Sequence, residues 1–159
     1  MHPPPAIRPA RAEDLPAVSA MAAKLLELHH ALDSARFFLT ERPAEGYAWW
    51  FEQELPRDEV VLLVAERDGL LVGYAYARLE ERDWNQLLDA CGVLHDLWVE
   101  PEARSAGLAE ALVTAVAAAL RAKGAPRIVL HAAAANERAQ ALFARLGFRP
   151  TMMEMTREL

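Results

Sequence analysis

The sequence predicts a mixed α/β (α+β) domain built around one central sheet, and three observations carry that prediction. Residues 59–80 hold two strand-like runs, EVVLLVAER and LLVGYAYARLE, joined at Asp68-Gly69. That dipeptide between apolar runs signals a hairpin and antiparallel pairing. Residues 93–132 run strand, helix, strand, which implies a crossover with local parallel pairing or a splay. Between them, Leu108, Ala111, Leu112, Ala115, Val116, Ala119 and Leu120 recur at helical spacing and form one continuous apolar stripe.

The elements follow in chain order. Residues 1–5 are expected to be a disordered tail, and AIRPA (6–10) a short strand. Asp14 stands where a helix N-cap belongs, with Pro16 in the first turn. Leu15, Val18, Met21, Ala22, Leu25 and Leu28 then give helical spacing. FFLTERPAEGYAWWFEQELP is a second, broken helical region whose later part opens at Pro43. The hairpin comes next, WNQLLDACG is a loop, and VLHDLWV (93–99) is a strand. Helix 107–123 stops at Gly124, a favourable residue just past a helix end. RIVLHA (127–132) is a strand, Asn136 caps the helix NERAQALFARLG, and FRPTMMEMTREL is expected as a last strand. No repeat or linker divides the chain, so residues 1–159 are expected to form a single domain.

Composition narrows the function classes. The chain has 159 residues, of which 53% are hydrophobic and 25% charged, so it can bury a core of its own. Its formal net charge of −6 disfavours a nucleic-acid partner, which needs a basic stripe. The single cysteine, Cys91, forms no internal disulfide and is expected to be a buried structural thiol. The start has neither a basic n-region nor an apolar h-region, and no apolar run reaches membrane-spanning length. The expectation is a cytoplasmic protein with no membrane partner. The adjacent His29 and His30 point about 100° apart on a helix and make no i, i+4 metal pair. No resident metal is expected.

The stretch RSAGLAEALV, residues 104–113, leaves a strand and enters a helix through almost no side-chain bulk. A helix N-terminus offers unpaired N–H groups and partial positive charge, and phosphate groups bind there when small residues permit close approach. Arg104 adds charge, and Ser105, Ala106, Gly107 and Ala109 are small. The P-loop spacing is absent, and only one glycine of a dinucleotide fingerprint is present. By itself this turn fits either a phosphate site or a plain tight turn.

The wider pattern resembles the GNAT superfamily of N-acetyltransferases. Arg104-x-x-Gly107-x-Ala109 follows a strand ending LWVEPEA, Asn136 comes about thirty residues later, and the next helix ends FARLGF. The resemblance implies a mostly antiparallel mixed sheet of six to seven strands, a splay between the strands near 93–99 and 127–132, and about four flanking helices. It implies acetyl-CoA as co-substrate. Its pyrophosphate would lie on backbone N–H groups from Arg104 through Ser105, Ala106, Gly107 and Leu108 to Ala109. Its pantetheine arm would pair with Leu97, Trp98, Val99 and Asn136. An N–H near Val99 would stabilise the oxyanion formed when an amine attacks the thioester.

His95 is the candidate base, since an imidazole titrates near neutrality. Simple alternation puts it on Leu97's face, and arylalkylamine N-acetyltransferases similarly carry a proton-relay histidine here. Asp96 is expected on the opposite face, where polyamine acetyltransferases resemble this segment and bind cationic amines; a bond to a neighbouring loop is the other reading. Phe143 departs from the family pattern, because many members have a proton-donating tyrosine there. Its ring is expected to pack on the pantetheine or in the core. The proton donor to the leaving thiolate is then water, another side chain such as Tyr74 or Tyr76, or absent. His29, His30, Phe37, Phe38, Trp49 and Trp50 are candidates for the acceptor wall, with Trp49 and Trp50 also read as core plus rim. Met152, Met153 and Met155 are expected in the core or on a dimer surface. The resemblance suggests a homodimer. The expected activity is acetyl transfer to the primary amine of a small molecule. Two alternatives stay open: acetylation of a protein or peptide amine, and a non-catalytic acyl-CoA-binding regulatory module.

Overall fold

The computed structural model describes residues 5–104 and 107–159. Its sheet runs β1 (Ala6–Pro9), β2 (Val60–Arg67), β3 (Leu70–Glu80), β4 (Cys91–Val99) and β5 (Ile128–Leu130), side by side in chain order. The first four pair antiparallel, and β5 lies parallel to β4. Asp68 and Gly69 both take positive φ, 52° and 77°, which is the twist a two-residue hairpin needs.

Four helices cover the two faces: α1 (Leu15–Leu32), α2 (Pro43–Glu54), α3 (Leu108–Ala122) and α4 (Glu137–Arg145). Alternation along β2 splits the core. Val61, Leu63 and Ala65 face α3, which buries Leu108, Leu112, Val113, Val116 and Leu120 against them. Each such side chain stabilises the fold by about 1.5–3 kcal/mol. Val113 takes the place expected for Ala111, which faces solvent: the buried face centres on Leu112 and Val116. Leu62 and Val64 point the other way, where Leu15, Val18 and Met21 of α1 and Phe51 of α2 cover them. Asp14 does not cap α1 with its side chain. Its carboxylate instead accepts from the Arg11 N–H at 2.8 Å and from the Arg8 guanidinium at 2.7 and 3.0 Å, which ties β1 to the helix entry.

The sheet opens beyond Leu94. Parallel pairing to β5 covers only Gly92, Val93 and Leu94, so the outer edge of β4 from residue 95 to Val99 has no strand against it. On the other side β4 stays tight against β3. A Cβ on Gly73 would sit 2.9 Å from the Trp98 carbonyl oxygen, so only glycine permits this approach.

The sheet has five strands among the described residues rather than six or seven. FRPTMMEMTREL forms no strand: the structure leaves residues 149–159 exposed and outside the ladder. The pattern alternates, but β5 offers only three residues of edge, and Pro150 has no N–H to give. Met152, Met153 and Met155 accordingly lie outside the core at 77–82% exposure. The segment touches the rest of the chain through Glu154, which pairs with Arg36. Of the tail expected at 1–5, residues 1–4 lie outside the described residues.

Candidate active site

The site is built around a one-residue bulge. Tyr76 pairs with Asp96 and Ala77 with Leu94, so His95 has no partner on β3. The extra residue breaks the strand's alternation. Leu97 packs toward α3, while the His95 ring stacks on Tyr76, with centroids 5.3 Å apart and planes at 26°. His95 therefore does not share Leu97's face, contrary to simple alternation. It lies on the α1–α2 side together with Asp96.

The ladder shows which backbone groups are open. The Glu100 N–H donates to the Val72 carbonyl at 2.9 Å. In an antiparallel pair the bonded positions alternate, so Trp98 turns its backbone to β3 while Leu97 and Val99 turn theirs to the open edge. Trp98 thus does not offer its backbone to the open edge as expected. Its ring packs with the α1 residues and carries the Arg104 guanidinium 4.9 Å above it. Arg104 Nε also donates to the Val99 carbonyl at 2.9 Å, which leaves the Val99 N–H facing the opening.

The α3 N-terminus follows at once. Gly107 caps it with φ 69°, and among the described residues, its chain neighbours and the adjoining helix backbone aside, no atom lies within 4 Å of where its Cβ would be. Leu108 is buried in the core and Ala109 half-buried. Ser105 and Ala106, also assigned to this turn, lie outside the described residues. Across the opening, Asn136 caps α4, its Oδ1 accepting from the Ala139 N–H at 3.1 Å, so the Nδ2 amide is the end left for a ligand. Phe143 packs on Phe148 at 5.7 Å and leans on the α3-side core.

A polar cluster lines the α1–α2 side. The Tyr74 hydroxyl donates to Asp96 Oδ2 at 3.0 Å. Burial pushes the Asp96 carboxyl up from its ordinary range, while the Tyr74 hydrogen bond and the nearby His95 and His29 imidazoles pull it back. Burial beside Asp96 pushes the Tyr47 phenol up to about 12, and burial likewise raises the Tyr74 phenol well above the ordinary phenol value. The Tyr76 hydroxyl donates to Glu54, and its pKa also lies well above the ordinary phenol value. Tyr74 and Tyr76 therefore hold their protons tightly against carboxylates, which makes both poor donors to a leaving thiolate. His29 Nδ1 donates to the Leu25 carbonyl within α1 and His30 Nδ1 to the Phe37 carbonyl, both at 2.8 Å, so His30 ties the end of α1 to the following loop. Trp49 and Trp50 are exposed, at 63% and 39%, and neither enters the core; Phe51 does. Cys91 is buried, with its thiol pushed up by burial.

Sequence reasoning missed Glu54, Tyr47 and Glu80. Glu54 is 1% exposed on α2 and accepts from Tyr76, from Arg78 at 2.9 Å and from Arg57 at 3.2 Å. A carboxylate on an apolar helix face is the signal that could have found it. Among the described residues, no three His, Cys, Asp or Glu side chains gather into a group that could hold a metal. Nor is any helix there long and apolar enough to cross a membrane.

Comparison with known proteins agrees with this geometry. Residues 24–148 match the acetyltransferase (GNAT) family. A mycothiol acetyltransferase of Streptomyces avermitilis is 33% identical over 110 residues, covering 69% of this chain and 31% of that protein. Its counterpart in Thermobispora bispora is 33% identical over 124 residues, covering 72% and 40%. The chain thus spans roughly a third of the length of these relatives. Among solved structures, the aminoglycoside N-acetyltransferase AAC(6')-Iy, in complex with the bisubstrate analogue CoA-S-monomethyl-acetylneamine, superposes with a TM-score of 0.79 at 20% identity, over 98% of this chain and 97% of that one. A GCN5-related N-acetyltransferase from Ralstonia eutropha gives a TM-score of 0.75 at 25% identity, over 98% of each chain.

Proposed function

This chain belongs to the acetyltransferase (GNAT) family, and from that premise we propose that it transfers the acetyl group of acetyl-CoA to the primary amine of a small-molecule acceptor, by direct attack in a ternary complex. The observation that carries the reading is the outer edge of β4, left without a strand beyond Leu94 and leading straight to the N-terminus of α3.

In this reading the pyrophosphate lies on the turn from Arg104 to Ala109, where N–H groups and partial positive charge meet it. Ser105 and Ala106 belong to that turn by sequence. The Leu97 and Val99 edge and the Asn136 amide hold the pantetheine, and Phe143 packs beside it without donating a proton. Trp98 serves by carrying Arg104. The Val99 N–H faces the thioester oxygen and stabilises the developing oxyanion. Asp96 attracts the ammonium form of the acceptor, which releases one proton to solvent to become the neutral nucleophile, and His95 takes the second proton as the amine attacks. The C–N bond forms, the C–S bond breaks, and water protonates the departing thiolate. No metal takes part in this scheme.

The acceptor class is a cationic small molecule. Asp96 inside the site and Glu80 at its margin favour one, and the relatives named for mycothiol and aminoglycoside acetylation are in keeping with it. A peptide amine is the second reading, favoured by the exposed Phe38, Leu39, Trp49 and Trp50 on the α1–α2 side. The chain is proposed to act as one domain over residues 1–159, in the cytoplasm, as a homodimer. The open β5 edge and the exposed methionines beyond α4 support the dimer.

The test is thiol release from acetyl-CoA against polyamines, arylalkylamines, aminoglycosides, amino acids and short peptides. Release above the amine-free blank with a small amine is expected. Release only with peptides would select the second reading. Acetyl-CoA binding with no release on any amine would select a regulatory module instead.

A further inference from the structure

His95 is held at its face and at one edge by two groups that are themselves linked through Glu54 and Arg78. Its face stacks on Tyr76, whose hydroxyl is anchored on the buried Glu54 carboxylate. Arg78 donates to the same Glu54 oxygen at 2.9 Å, and its Nε lies 3.6 Å from Glu80 Oε1. That Glu80 oxygen is in turn 3.0 Å from His95 Nε2. Glu80 ends β3 and His95 is the bulged residue of β4, so the bulge brings them together across the sheet.

The contact has a chemical consequence. A carboxylate accepts hydrogen bonds, so the proton of the neutral imidazole belongs on Nε2 and the lone pair on Nδ1. Glu80 and His95 are 37% and 38% exposed at the side chain, and an ion pair that open adds little to stability. What the contact fixes is ring orientation and tautomer. Tyr76 sets the plane of the ring, Glu80 sets its protonated edge, and Glu54 with Arg78 fixes both.

Resting on the reading of His95 as the base, we infer that Glu80 is a positioning residue for acetyl transfer, whose carboxylate takes the His95 Nε2–H and leaves Nδ1 as the acceptor for the amine proton. During attack that proton moves to Nδ1 as the C–N bond forms and the thiolate leaves. The imidazolium then lies against Glu80, which itself neither gains nor loses a proton.

Glu80→Gln is the discriminating change. A side-chain amide can accept from Nε2–H or donate to Nε2, so it no longer selects one tautomer. The tautomer is read directly from the imidazole 15N shifts of His95 at pH 8, assigned by their loss in His95→Ala. The wild-type protein is expected to show the Nε2–H form alone, and Glu80→Gln a mixture. With the fastest amine of the panel, Glu80→Gln lowers kcat about tenfold with KM for acetyl-CoA unchanged. Because Glu80 acts through His95, it slows the His95→Ala enzyme no further. Equal tautomer populations in the wild-type and Gln proteins would overturn the inference, and so would a full loss from Glu80→Gln in the His95→Ala background. If His95→Ala alone turns over normally, the base assignment fails, and the 15N spectra still report whether Glu80 selects the tautomer.

Discussion

At the scale of single residues, two aspartates answer pH in opposite senses. The Arg8 guanidinium holds Asp14 below its ordinary value of 3.8, so Asp14 stabilises the fold above that pH and the contribution is lost as pH falls through its folded value. Asp96 runs the other way. Burial lifts it above 3.8, so the folded protein binds its proton more tightly than the unfolded chain does. Stability from Asp96 therefore falls as pH rises from 3.8 to the raised folded value, and stays reduced above it. Asp96→Asn keeps an acceptor for the Tyr74 hydroxyl and removes the buried charge. Its urea midpoint is expected above wild type at pH 7.5 and level with it near pH 3.8. The same variant is expected to raise KM for a cationic acceptor about tenfold, the loss of one charge-assisted contact. A midpoint unchanged at both pH values would show that Asp96 is solvated in the folded state. Asp96 was legible in the sequence as an acidic residue on a strand. The face shared by His95 and Asp96 was not, because a one-residue bulge is set by register against β3 and leaves no mark in the pattern of β4 itself. Glu80 was hidden for the same reason, since the bulge and the intervening loop decide its meeting with His95.

At the scale of elements, the turn into α3 separates strain from charge. Gly107 sits at φ 69° with space around it, so Gly107→Ala costs about 1–2 kcal/mol of backbone strain without a clash. Gly107→Glu adds a like charge beside the proposed pyrophosphate site, and its acetyl-CoA affinity is expected to fall roughly a hundredfold or more. Titration calorimetry on both variants checks this; equal losses would remove the pyrophosphate from this turn. Helices α1 and α3 and the hairpin were legible because each carries its own period, with Pro16 near the start of α1, Gly124 at the end of α3 and Asp68-Gly69 at the turn. The last strand was misread because alternation describes a segment's fitness to pair and says nothing of whether an edge is there to receive it. Met153 and Met155 alternate beyond a β5 that is three residues long.

At the scale of the whole molecule, the mixed sheet with a crossover strand was legible in the order of elements, since short connections and one crossover leave few ways to assemble the sheet, and the splay followed from the family resemblance. The uneven burial was not. Every fully buried side chain lies on β2, β3, β4 or helices α1 to α3, and neither β5 nor α4 contributes one. The three-residue parallel ladder that ends at Leu94 is therefore expected to join two cooperative units of different opening free energy. Amides of β2, β3 and the first half of β4 are expected to exchange only on global unfolding. Those of β5 and α4 open locally and exchange about a hundredfold faster or more, because two to three kcal/mol of difference corresponds to that ratio. On the proposed placement, in which acetyl-CoA bridges α3 to Asn136, saturating acetyl-CoA should slow exchange in β5 and α4 and leave β2 and β3 unchanged, which hydrogen–deuterium exchange by mass spectrometry would read peptide by peptide. Under the proposed function the gap beside β4 is also a seam, across which ligand binding would do the joining that a longer ladder would otherwise have done.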